Sequence, residues 1–236
     1  MPATPDDTVP ATPDDTVPAT PDDTVPATPD GFTRFFDRAF AGAPLMAVLR
    51  GYAPARTVEL ATRAWDLGVT QVEVPIQDAG AVASLHAAVA AGARRNRGVG
   101  AGTVTSPERV RAARRAGAAF TVAPGLHDDV IDLSLDLGLP HLPGVSTPTE
   151  VGRAQRRDLH WVKAFPAAQL GPGWVTALRA PFPELRAVAT GGIDAGNAAA
   201  FLRAGARAVA LGSALTDPAQ LDRVVPLLPE HGTTCE

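Results

Sequence analysis

Lysine occurs once in this chain, at Lys163, against twenty arginines. Where a solvated positive charge is needed, arginine supplies it. Cysteine also occurs once, at Cys235, which leaves no disulfide framework and no clustered thiol metal site. The histidines His86, His127, His141, His160 and His231 stand apart without paired ligand spacing, so the sequence offers no evident metal set, and no organic cofactor is expected either. No apolar run reaches the length of a membrane span, and the N-terminus lacks the basic and apolar parts of a secretory signal. The expectation is a soluble, unexported protein of the reducing cytoplasm, with no membrane partner. Basic residues are missing from the first thirty positions, which carry seven Asp. Beyond them 18 acids face 21 bases, so the formal net charge of -4 hides a mildly positive remainder. Those arginines are scattered rather than massed, which argues against nucleic acid and suits a small anionic ligand.

What is present falls into a tail and one domain. Residues 3–10 read ATPDDTVP and recur at 11–18 and 19–26, before a truncated ATPD at 27–30. Two prolines per repeat, paired acids and one Val cannot bury enough surface to offset ordering entropy, so residues 1–31 are expected to be a disordered acidic tail dispensable for chemistry. From Phe32 the composition changes. Phe32, Phe35, Phe36 and Phe40 at helical spacing predict a short helix that plugs one end of a domain running from 32 to 230, with a C-terminal tail at 231–236.

Within that domain apolar runs alternate with helical patterns. Candidate strands lie at 45–49, 70–75, 98–102, 119–123, 139–143, 160–165, 185–190 and 207–212. Helices are expected to start near Ala55, Gly80, Pro107, His127, Thr149, Gly173, Gly196 and Pro218. Eight such cycles predict a closed parallel (β/α)8 barrel, a TIM barrel near the small end of its size range. An open doubly wound sheet is the alternative, disfavoured because LRGYAP stands where a dinucleotide fingerprint would follow the first strand.

In a barrel, side chains alternate between interior and helix layer, and chemistry sits at the C-terminal strand ends. In HWVKAF this groups Trp161, Lys163 and Phe165 inward against Val162 and Ala164; in TQVEVP it puts Gln71, Glu73 and Pro75 inward. Thr103 closes the third strand and Arg50 follows the first. Each has a plainer reading alone: Lys163 with Glu73 as a structural ion pair, Glu73 as an acid satisfied by backbone donors, Thr103 as a helix cap, Arg50 as a surface charge. Their coincidence at four strand ends points instead to a site, and a lysine can deprotonate and attack a carbonyl where a guanidinium cannot. Thr190-Gly191-Gly192 and Gly212-Ser213 sit at the next two strand-to-helix turns, where small residues let backbone N–H groups approach a phosphate.

VLRG at 48–51, VEVP at 72–75, GAGTVTSPE at 100–108, APGLHDD at 123–129, LPGVSTPTE at 142–150, VKAFPA at 162–167, TGGI at 190–193 and LGSAL at 211–215 resemble, in collinear order, the bacterial KDPG/KHG aldolases. The resemblance runs from about Pro44 to about Leu228 and implies a homotrimer of TIM barrels. It further implies a class I aldolase cleaving a 2-keto acid, either the phosphorylated 2-keto-3-deoxy-6-phosphogluconate to pyruvate and glyceraldehyde 3-phosphate or the unphosphorylated 4-hydroxy-2-oxoglutarate to pyruvate and glyoxylate. Lys163 would form the Schiff base, Glu73 move protons, Arg50 and Thr103 hold the keto-acid carboxylate, Phe165 line the channel, and Gly191, Gly192 and Ser213 bind phosphate. Four residues after the glutamate some members have a second arginine; here that position is Gln77. The related 2-keto-3-deoxy-6-phosphogalactonate aldolases share the LRG and VE-P patterns and are the alternative. A proton-transfer epimerase or isomerase on the same barrel, and a phosphosugar-binding regulator, are the further rivals.

Overall fold

The computed structural model describes residues 27–212 and Gln220. Helix α1 (Pro29–Ala41) opens the described chain. The Thr28 hydroxyl accepts a hydrogen bond from the Gly31 N–H at 3.0 Å, and Pro29 and the acidic Asp30 stand in the first turn, where both residue types suit a helix start. The truncated last repeat therefore starts a helix, and residues 29–31 correct the expected tail boundary. The three full repeats lie outside the described residues.

Nine parallel strand segments follow: β1 (Leu45–Val48), β2 (Gln71–Pro75), β3 (Val99–Gly102), β4 (Phe120–Val122), β5 (His141–Leu142), β6 (Gly144–Val145), β7 (Trp161–Ala164), β8 (Arg186–Thr190) and β9 (Ala208–Leu211). Their order in the sheet is β5-β4-β3-β2-β1-β9-β8-β7-β6. β5 and β6 are the two halves of one strand broken at Pro143, which has no N–H to give a ladder. The Pro143 carbonyl still accepts from the Lys163 N–H at 2.8 Å, so the sheet closes there into a barrel. The sequence pattern predicts the fifth strand at 139–143; its two halves span 141–145, two residues further along.

Helices join the strands: α2 (Pro54–Asp66), α3 (Ala79–Ala93), α4 (Pro107–Arg115), α5 (Asp128–Asp136), α6 (Pro148–Gln155), α7 (Ala167–Leu170), α8 (Pro172–Arg179) and α9 (Ala198–Arg203). The short α7, directly after the lysine strand, was not anticipated. The helix expected near Pro218 lies outside the described residues. α6 begins with a reciprocal cap in which the Thr147 hydroxyl accepts from the Glu150 N–H at 3.3 Å and the Glu150 carboxylate accepts from the Thr147 N–H at 2.9 Å.

Strand parity sorts the core. Outward-facing Val72, Val74, Val99 and Ala101 pack with residues of the surrounding helices, whereas Met46, Phe120, Val122, Leu142, Trp161 and Val188 fill the barrel together with Phe36 and Phe40 of α1. The Phe40 ring stacks on Trp161 at 5.1 Å between centroids and Phe36 meets Phe120 edge-on at 5.8 Å. Asp37, on the same helix, accepts hydrogen bonds from Trp161 Nε1 at 3.0 Å and Arg186 Nη1 at 2.8 Å. Helix α1 thus closes the N-terminal end of the barrel and leaves the C-terminal end for the site.

Candidate active site

Lys163 is the third residue of β7, in register with Gly144 on one side and Val188 on the other. Parity turns it inward, and burial leaves it 3% exposed. Its Nζ lies 5.1 Å from the centroid of the Phe165 ring. Together they line a cleft of about 490 Å3 at the mouth of the barrel. Arg50, Thr103, Thr190, Gly191, Gly192 and Gly212 also line it, as do Val48, Pro124, Ile193 and Ala210, which sequence reasoning did not single out. Ser213 lies outside the described residues.

Glu73 sits deeper. It is 0% exposed, and among the described residues neither carboxylate oxygen has a hydrogen-bond donor. A structural ion pair with Lys163 and an acid satisfied by backbone donors, its two plainer roles, both require partners that the geometry does not provide. A buried carboxylate without a partner is costly, and such groups concentrate where chemistry is done. Space for it comes from β3: a Cβ on Gly102 would overlap the Glu73 carboxyl, and one on Gly100 would overlap the Phe120 ring. In GVGAG parity puts Gly100 and Gly102 on the inner face, but only the side chains opposite them show what the missing Cβ atoms make room for.

At the rim, Arg50 Nη1 donates to Thr103 Oγ1 at 3.2 Å. A guanidinium beside a hydroxyl is a ready partner for a carboxylate. Thr103 has φ +59, an uncommon conformation for a β-branched residue. Across the mouth, Gly191 and Gly192 have φ +94 and +71. Side chains there would meet the Phe165 ring and Ala168 respectively, so only glycine brings this backbone so close to the cleft. The turn is held from behind: Asn197 Nδ2 donates to the Gly192 carbonyl at 2.9 Å, and Asp194 Oδ1 accepts from the Gly196 N–H at 2.7 Å. Asp194 and Asn197 were not singled out from sequence, although the spacing D-x-G-N is that of side chains closing a local turn.

A buried amine, a carboxylate held without partners, an Arg-hydroxyl pair and a glycine turn meet at the C-terminal end of one parallel barrel, which defines the class as a barrel enzyme. The chain belongs to the KDPG and KHG aldolase family, whose model matches residues 36–224. It is accordingly an aldolase, a carbon–carbon lyase. It is 35% identical over 179 residues to a probable 2-dehydro-3-deoxy-6-phosphogalactonate aldolase of Rhizobium meliloti, covering 74% of this chain and 82% of that one. To the 2-dehydro-3-deoxy-phosphogluconate aldolase of Pseudomonas aeruginosa it is 41% identical over 105 residues, covering 44% of this chain and 48% of the relative. Among solved structures, a 4-hydroxy-2-oxoglutarate/2-dehydro-3-deoxyphosphogluconate aldolase superposes with a TM-score of 0.74 at 34% identity, over 81% of this chain and 98% of that chain.

Proposed function

We propose that this aldolase cleaves a 2-dehydro-3-deoxy-6-phospho sugar acid between C3 and C4 through an imine on Lys163. The observation that carries this is the position of the single lysine: buried on β7 and lining the cleft, in a barrel whose interior also holds the buried Glu73 carboxyl, which has no hydrogen-bond partner among the described residues. Arg50 and Thr103 hold the C1 carboxylate, which presents C2 to Nζ. The Lys163 Nζ adds to C2, and loss of water leaves a protonated imine. Glu73, directly or through a water, takes the C4 hydroxyl proton. As the C4 carbonyl forms, the C3–C4 bond breaks and its electron pair moves into the imine, giving an enamine. Glyceraldehyde 3-phosphate departs, C3 is reprotonated, and hydrolysis returns pyruvate and the free amine. Thr190, Gly191, Gly192 and Gly212 form the phosphate end, where backbone amides meet the anion, and the family resemblance assigns Ser213, outside the described residues, to the same end. Phe165 walls the channel between the two ends.

The gluconate and galactonate substrates differ only in configuration at C4 and give the same products. The broader match to a galactonate relative favours the galactonate epimer. Pyruvate release from each epimer and from 4-hydroxy-2-oxoglutarate, coupled to its enzymatic reduction, tests the proposal. Release from at least one phosphorylated epimer is expected, and Lys163→Arg, which keeps the charge and loses the nucleophile, should abolish it. Equal turnover by Lys163→Arg would rule the imine out. The working unit is taken to be a cytoplasmic homotrimer. Support for association comes from α3, whose exposed side presents Ala79, Ala83, Ala90 and Ala93, with His86 its one ionisable group.

A further inference from the structure

Thr103 is held by a residue outside the cleft. Its neighbours obey the sheet: the Gly102 carbonyl accepts from the Ile76 N–H at 2.9 Å, and the Val104 N–H donates to the Val122 carbonyl at 3.0 Å. Between them the left-handed conformation at Thr103, φ +59, swings its own carbonyl out of the ladder and its hydroxyl toward Arg50. Such a conformation in a β-branched residue persists only where the surroundings over-determine it. Among the described residues the one donor to that carbonyl is Arg109 Nη1, at 3.1 Å. The same nitrogen donates to Thr105 Oγ1 at 2.7 Å, and Nη2 donates to the Gln77 carbonyl at 3.2 Å. Arg109, near the start of α4, forms no ion pair among the described residues, so its directed donors all serve this corner. They tie the turn after β3 to the turn after β2, the two turns that carry Thr103 and follow Glu73.

We infer that Arg109 is a positioning residue: it fixes Thr103 in the left-handed conformation and thereby sets the Thr103 hydroxyl and Arg50 guanidinium for the keto-acid carboxylate. Its spread of rigid donors suits three acceptors on two turns, which a lysine could not serve together. This rests on the carboxylate role of Arg50 and Thr103 proposed above.

Borohydride trapping of pyruvate on Lys163 in the full chain tests it, with the half-saturating pyruvate concentration as the readout. Arg109→Gln should raise that concentration roughly tenfold, while the trapping rate at saturating pyruvate stays within about twofold, because the amine is untouched and only carboxylate placement is lost. Arg109→Lys should fall between the two. In a Thr103→Gly background the hydroxyl is gone and the left-handed backbone is unstrained, so losing Arg109 should add nothing further. Unchanged half-saturation in Arg109→Gln overturns the inference and leaves the imine mechanism standing. Additive losses in the double variant overturn it too, since Arg109 would then act through something other than Thr103. If Arg109→Gln does not fold, Arg109→Lys decides, and half-saturation equal to wild type is the overturning result. Wild-type protein that traps no pyruvate at all overturns both the proposed mechanism and this inference.

Discussion

Glu73 and Gly102 show how closely the site is built around single atoms. A methyl group on Gly102 and the Glu73 carboxyl cannot occupy the same space, and the strand beneath cannot move without breaking its pairing with β2, where Pro75 is in register with Gly102. Gly102→Ala is therefore expected to displace the carboxyl and cut pyruvate release by about 10²-fold or more, the cost of misplacing a proton-transfer group, while the protein stays folded. The readout is kcat for pyruvate release alongside a circular-dichroism spectrum; wild-type kcat in a folded variant would remove Glu73 from the proton path. At this scale the sequence was readable where parity and chemistry coincide. Lys163 stood out as the one lysine, and alternation turned it and Glu73 inward. Arg109 was not readable, because an arginine on a helix gives no sign of reaching back to two neighbouring strand-end turns. The same holds for the glycines of β3, whose purpose shows only when the side chains facing them are known.

The elements came through in number and type more fully than at their edges. Strands and helices between 45 and 212 fall where apolar runs and helical patterns put them, since each strand in a closed parallel barrel is buried on both faces and reads as a short apolar run. The exceptions have local causes. Pro143 splits the fifth strand, Thr28 starts α1 inside the last partial repeat, and α7 is too short for a periodic pattern to register. β5 also carries a group that chemistry does not use. His141 is buried on its outward face, sharing a 2.8 Å hydrogen bond between Nδ1 and Thr121 Oγ1. Burial, with the nearby His127 as a smaller cause, lowers its pKa from the ordinary 6.5 to about 3. Between those values the unfolded chain binds a proton that the native one does not, so this group's effect is to weaken the fold as pH falls from 6.5 toward 3. The slope from one such residue is at most about 1.4 kcal/mol per pH unit. Urea midpoints measured at several pH values should show it, and His141→Asn should flatten it; an unchanged slope in the variant would place the titrating group elsewhere.

For the whole molecule the barrel explains why the chemistry is divided as it is. The N-terminal end is sealed by aromatic rings and by Asp37 bonded to Trp161 and Arg186, and it carries stability. The C-terminal end is open, and it collects residues from β1, β2, β3, β7, β8 and β9 that are distant in sequence. Fold and family were legible because the motifs recur in collinear order at strand ends. The association state was not, because an interface is a property of surfaces whose partner the sequence does not contain. The proposed homotrimer makes a simple statement about mass: light scattering of the full chain, at 24.3 kDa per copy, should give three times that value. A mass of one chain at working concentrations would contradict it.

Borohydride reduction in the presence of pyruvate reports on the imine at Lys163 without any assumption about the sugar acid. A stable mass increment of one reduced pyruvate per chain is expected, lost in Lys163→Arg, on the peptide that holds the only lysine of the sequence. Folded wild-type protein that gains no mass, or an adduct carried by any other residue, would contradict it.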